Sequence, residues 1–186
     1  MIGKKNIVFG FIYLVFTAAL GPVMVGMYDD FGAAALEKQA AVGRLQQLKT
    51  NNFEEMLEPL DGKQIAMANT GGILAINKMN NIEMSIDAIK GGPHTHGNLE
   101  SLLNIAVGVV LSFLAINVLF KQVISWVFIL GALLHSGMLY LNRVFEIGWA
   151  GWLLETGAGP VLILAGLALM GIATAMGFKG QLVRDK

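Results

Sequence analysis

The chain has 186 residues, of which 55% are hydrophobic and 14% charged, with 13 basic and 13 acidic side chains in balance. So little charge cannot coat a soluble domain of this size. The apolar residues are gathered in long blocks, so the chain reads as an all-α integral membrane protein. Neutrality excludes the basic stripe that nucleic-acid binding requires, and the lack of cysteine excludes disulfides, thiolate zinc, iron–sulfur clusters and attached haem c. Any metal or haem would be held by His, Met or carboxylate.

Lys4 and Lys5 precede an apolar run from Ile7 to about Met27. At about 1.5 Å per residue it is long enough for a hydrocarbon core of about 30 Å. A signal peptide would have a shorter core of about 7 to 15 residues, so residues 1–28 are expected to be an uncleaved first span. Gly21-Pro22 is expected to kink its far end.

Residues 29–98 carry Asp, Glu, Lys, Asn and Gln throughout, and no apolar block among them is long enough to span. Asp29 or Asp30 is expected to cap a helix through Leu36, Leu45 and Leu48, with Arg44 and Lys49 suiting its C-terminal dipole. Pro59 and Asp61-Gly62 break the chain. A second helix is expected over Ile76, Met79, Ile82, Ile86 and Ile89, spaced three or four apart, ending at Gly91-Gly92-Pro93.

Residues 99–186 hold three further expected spans, about Leu99 to Phe120, Val123 to Leu141 and Pro160 to Phe178, giving a four-transmembrane-helix bundle. Lys121-Gln122 would form the short turn between the first two of these. Residues 142–159, with Arg143, Glu146, Trp149, Trp152 and Glu155, read as an interfacial loop with tryptophans at headgroup depth. Lys4, Lys5, Lys121, Lys179, Arg184 and Lys186 would share one side, with Arg143 opposite. The positive-inside rule then puts both termini in the cytoplasm of a plasma-membrane protein and the 29–98 insertion outside. Small residues four apart, Ala132/Ser136 and Gly171/Ala175, allow close helix packing.

Two of the three histidines lie in Gly91-Gly92-Pro93-His94-Thr95-His96-Gly97-Asn98-Leu99-Glu100. His96, Glu100 and Asn104 share one helix face. His135 lies inside a span, where an ionisable residue is expensive and a candidate for function. If Leu99 and Asn142 are level, His135 falls opposite Asn104 and about 15 Å from His96, too far to share an ion. A shift of one or two helical turns would bring His96 or Glu100 within reach of it.

Three functions fit these residues. The preferred expectation is a small multi-pass subunit of a larger complex with a haem b, copper or zinc site near the outer face. His135, His96 and His94 would be cofactor ligands, with Glu100 joining them for a metal ion, in electron transfer or assembly. The second is a cofactor-free accessory subunit in which the histidines only cap and hydrogen-bond, while the insertion docks other membrane subunits, a second copy or lipid. The third is a small transporter or channel with a polar path through Glu100, Asn104, His135 and Glu155. His-x-His-Gly at the mouth of a span resembles the histidine motifs that open helices in haem–copper oxidase relatives. The resemblance covers about a dozen residues and lacks the further paired histidines of those proteins, so it assigns no family. No phosphate-binding glycine loop, Gly-x-Ser-x-Gly or His-Glu-x-x-His is present, so the sequence names no enzyme.

Overall fold

A computed structural model describes the chain from Met1 to Arg184, and it is mostly helical. Lys186, counted above among the charges, lies outside the described residues. Two compact units divide the chain: Met1–Gly21 with the chain from Ala88 onward, and Pro22–Asp87.

The first unit contains helices α1 (Lys4–Ala18), α4 (Thr95–Leu111), α5 (Val118–Ala132), α6 (Met138–Val144), α7 (Gly148–Glu155) and α8 (Ala158–Gly177). A π-helical turn at Leu133–Gly137 joins α5 to α6, and a kink at Gly92, within Lys90–His94, leads into α4. Helices α1 and α4 run antiparallel and so close that a Cβ on Gly108 would lie 2.5 Å from the Gly3 carbonyl oxygen. Small residues at the contact are what allow two helices to approach this closely. At the same end, Val107, Leu111, Leu114, Ile124, Phe128 and Ala173 form the apolar core. A fully buried polar layer crosses this unit as well. The Asn6 amide of α1 donates to Asn104 Oδ1 of α4 (2.9 Å) and to the Ser125 carbonyl of α5 (3.0 Å), and the Ser125 hydroxyl donates back to Asn6 Oδ1.

The second unit is a helical hairpin. Helix α2 (Leu20–Thr50) and α3 (Gly62–Ile89) are linked by two short antiparallel strands, β1 (Glu54–Glu55) and β2 (Glu58–Pro59). Asp61 and Gln64 start α3 with a capping box, each side chain accepting from the other's backbone N–H at 2.7 and 2.8 Å. Of the expected periodic positions, Leu48, Met79, Ile86 and Ile89 are buried and Leu45, Ile76 and Ile82 half-buried, whereas Leu36 is exposed and Ala34 and Ala75 are buried in addition. Lys78 pairs with Glu37 at 2.7 Å across the two helices.

Among the described residues, three helical stretches are long and apolar enough to cross a membrane: Lys4–Thr50, Val118–Val144 and Ala158–Gly177. Helix α4, at 17 residues, is not one of them. Several expectations change here. Asp29 and Asp30 lie within α2 and cap nothing, because the helix runs on unbroken from Leu20. The break expected at Gly21-Pro22 falls just before it, at Ala19. As expected, α3 stops at Ile89, just before Gly91-Gly92-Pro93, and Gly92 leaves helical geometry (φ −93°, ψ −107°), so the chain kinks there before α4 begins. Helix α4 ends at Leu111, not Phe120, and Lys121 is a buried residue of α5. The real turn is hidden by its own apolarity. Leu114 is fully buried and bridges to Phe178, the Ala115 N–H donates to the Gly177 carbonyl at 2.7 Å, and Asn117 caps α5 by accepting from Leu119 N–H. The expected loop at 142–159 contains a helix, α7, with Trp149 and Trp152 exposed on it.

Candidate functional site

A carboxylate enclosed by apolar helices requires partners, and Glu100, only 3% exposed, has them on both oxygens. His135 Nδ1 lies 2.6 Å from Oε1, and the Ser136 hydroxyl donates to Oε2 at 2.5 Å. Consecutive residues of an ordinary α-helix point about 100° apart and do not converge on one group. His135 and Ser136 do converge, because both lie in the π-turn at Leu133–Gly137. Such widened turns recur at functional positions. Helix α8 closes the other side: a Cβ on Gly159 would lie 2.5 Å from the His135 backbone nitrogen, so only glycine admits this approach.

Two further groups complete the cluster. The Tyr13 hydroxyl of α1 lies 2.8 Å from Ser136 Oγ. Since the serine proton goes to Glu100, Tyr13 is the donor. His96, one turn before Glu100 on α4, places its ring 4.6 Å from that of His135, centre to centre, with the planes inclined at 56°. One ligand atom from each of His96, Glu100 and His135 falls within 4.8 Å of the others, with Glu100 buried and both histidines half-buried.

The other predicted residues are placed elsewhere. His94 does not join the cluster: its Nδ1–H donates to the Thr17 carbonyl at 3.0 Å, in the last turn of α1. Asn104 belongs to the Asn6/Ser125 layer, and it also donates to the Glu100 carbonyl at 3.0 Å, one turn up its own helix. Glu155 is exposed at the end of α7 and is not one of the three grouped residues. The register estimate that set Asn104 opposite His135 fails because helix α6 runs past the start of α4. Leu139 of α6 packs beside Gly92, at the kink before α4, where a Cβ would be 3.8 Å away.

Tyr13, Thr17 and Asn6 went unremarked in the sequence. Their signal was present: Asn6, Tyr13 and Thr17 are seven and four residues apart, a polar stripe on one face of an otherwise apolar helix. Thr17 uses its hydroxyl on Asn98 Oδ1 at 2.8 Å, pinning α1 to the first turn of α4.

The donor set suits a metal ion. Imidazole and carboxylate together are ligands for zinc and copper, and a carboxylate hydrogen-bonded to a ligating imidazole fixes its tautomer and orientation. Compared with family models, curated proteins and solved structures, the chain gives no match.

Glu100→Leu is expected to lower stability by about 1–3 kcal/mol, since it removes the acceptor of the His135 imidazole and leaves the Ser136 hydroxyl only the Ala132 carbonyl, at 3.2 Å. Glu100→Gln, which still accepts from Ser136, is expected to lose less. Thermal unfolding in detergent, followed by circular dichroism, checks both.

Proposed function

We propose that this chain is a small multi-pass membrane subunit that holds a metal cofactor, haem or a bare ion, at the His96/Glu100/His135 centre. Its role would be electron transfer or the assembly of a larger membrane complex. The observation that carries this reading is the meeting of two imidazoles and a buried carboxylate, with one ligand atom from each within 4.8 Å of the others. Ionisable groups at membrane depth are costly and are retained where they bind or transfer something.

In this reading α1, α4, α5–α6 and α8 are four spans, and the Pro22–Asp87 hairpin lies on the extracytoplasmic side. The charges support that orientation. Lys5 donates to Gln122 Oε1 at 2.5 Å and sits 4.4 Å over the Trp126 ring, and the Lys179 N–H donates to the Phe113 carbonyl at 2.8 Å. Lys4, Lys5, Lys121 and Lys179 therefore gather at the end of the unit where α1 begins and α8 finishes. The opposite end carries the His96/Glu100/His135 centre and the exposed tryptophans of α7. The positive-inside rule makes the lysine end cytoplasmic in a plasma membrane.

A second reading, a cofactor-free accessory subunit that docks partner proteins, is favoured by one observation. Among the described residues, every buried side-chain nitrogen and oxygen already has a hydrogen-bond partner. The Glu100 cluster is then a structural clamp, complete without a guest.

Metal analysis and an absorption spectrum of the purified protein separate the two. The first reading predicts a metal present in stoichiometric amount and lost in His135→Ala. A colourless, metal-free preparation that retains its partner subunits would establish the second. Orientation is tested independently, because the chain has no native cysteine. Met56→Cys, at the exposed hairpin tip, is expected to react with a membrane-impermeant maleimide on intact spheroplasts. Labelling only after lysis would invert the topology.

A further inference from the structure

The geometry points to a single divalent ion of the zinc or copper type, bound between His96 and His135 with Glu100 as third ligand, and not to a haem between those imidazoles. This inference rests on the metal-centre reading above and sharpens it by naming the guest.

Ring separation decides between the two. Imidazoles on opposite faces of a haem iron stand about 6 Å apart, centre to centre, because each metal–nitrogen bond is about 2 Å and each nitrogen sits about 1 Å from its ring centre. Imidazoles on neighbouring corners of a tetrahedral ion stand about 5 Å apart by the same lengths. The His96 and His135 rings are 4.6 Å apart and inclined at 56°. A porphyrin cannot fit between them, whereas a bare ion fits after small rotations of the side chains.

The carboxylate is placed for the third position. Ser136 holds Glu100 through Oε2, which leaves Oε1, now facing His135 Nδ1, as the oxygen that can turn to an ion. The three ligand atoms, none more than 4.8 Å from another, need only adjust to about 3.3 Å, the edge of a tetrahedron with bonds of about 2 Å, the 2.6 Å contact of Oε1 with His135 Nδ1 opening as the ion enters. Glu100 carries one negative charge against the two of the ion, and the imidazoles bind as neutral ligands. Three protein ligands leave a fourth position for water or a partner's group. His94 is not a ligand, since its Nδ1–H is committed to the Thr17 carbonyl.

The test uses the full-length protein in nanodiscs, stripped with chelator and titrated with zinc chloride or copper sulfate by calorimetry, with hemin added to a parallel sample. One ion per chain is expected. His96→Ala, at the rim of the cluster, and Glu100→Gln should both lose it while keeping the wild-type circular dichroism. Ser136→Ala should weaken binding about 10- to 100-fold, as an outer partner of a ligand does, and His94→Ala should leave it unchanged. Ion binding that survives His96→Ala or Glu100→Gln overturns the assignment of ligands. Hemin binding with a Soret band lost in His135→Ala, and no ion, overturns the inference while the metal-centre reading stands. Neither ion nor hemin bound at stoichiometry overturns both.

Discussion

The carboxylate of Glu100 sets the terms for the surrounding helices. Removed from water, it is tolerable only with both oxygens hydrogen-bonded, and the groups that do this come from the π-turn at 133–137, with Tyr13 of α1 behind them. Three helical segments therefore have to meet at one height and in one rotation. The π-turn follows from the same demand, since it is what lets two consecutive side chains reach one carboxylate.

Around this point the packing is arranged by small residues and short polar bonds, not by large apolar side chains. Gly108 lets α1 and α4 touch backbone to backbone, and Gly159 lets α8 lie against His135. The Asn6–Asn104–Ser125 layer sits about one turn below Glu100 along α4 and ties α1, α4 and α5 through fully buried amides and a hydroxyl. Hydrogen bonds of this kind are worth about 0.6 kcal/mol on average inside a membrane, but they have direction. A slip of one helix by a single residue would break the layer and the Glu100 cluster together. The bundle thus gains a defined register from polar groups where apolar contact alone is indifferent.

Much of this was legible in the sequence, though not the register. The apolar blocks starting at Ile7, Val123 and Pro160 did mark helices apolar enough to span, and the break expected at Asp61-Gly62 does separate two helices, although α3 starts there and not near Ile76. Isoleucine and methionine spacing identified the inward face of that helix. Composition could not place helix ends, because Leu114 and Ile116, at the turn between α4 and α5, are as apolar as a span. The same limit misjudged the histidines. Asn142 looked level with Leu99 because polarity resumes there, whereas the helix carries on beside the kink at Gly92 and draws His135 up to Glu100. His94 and His96 are equivalent by spacing and chemistry, and only the break at Ala19 near Pro22, with the Thr17 carbonyl beside it, assigns one to a helix end and the other to the cluster.

The coupling between Glu100 and His135 is the most direct measure of whether this centre exists as described. A double-mutant cycle of Glu100→Gln, His135→Asn and the pair, read by unfolding free energy in detergent, isolates it. Two side chains in direct contact within one network should show a non-additive term of about 0.5–3 kcal/mol. Additive losses, agreeing within about 0.5 kcal/mol, would mean that the two side chains do not meet, and the account of the centre would fall with them.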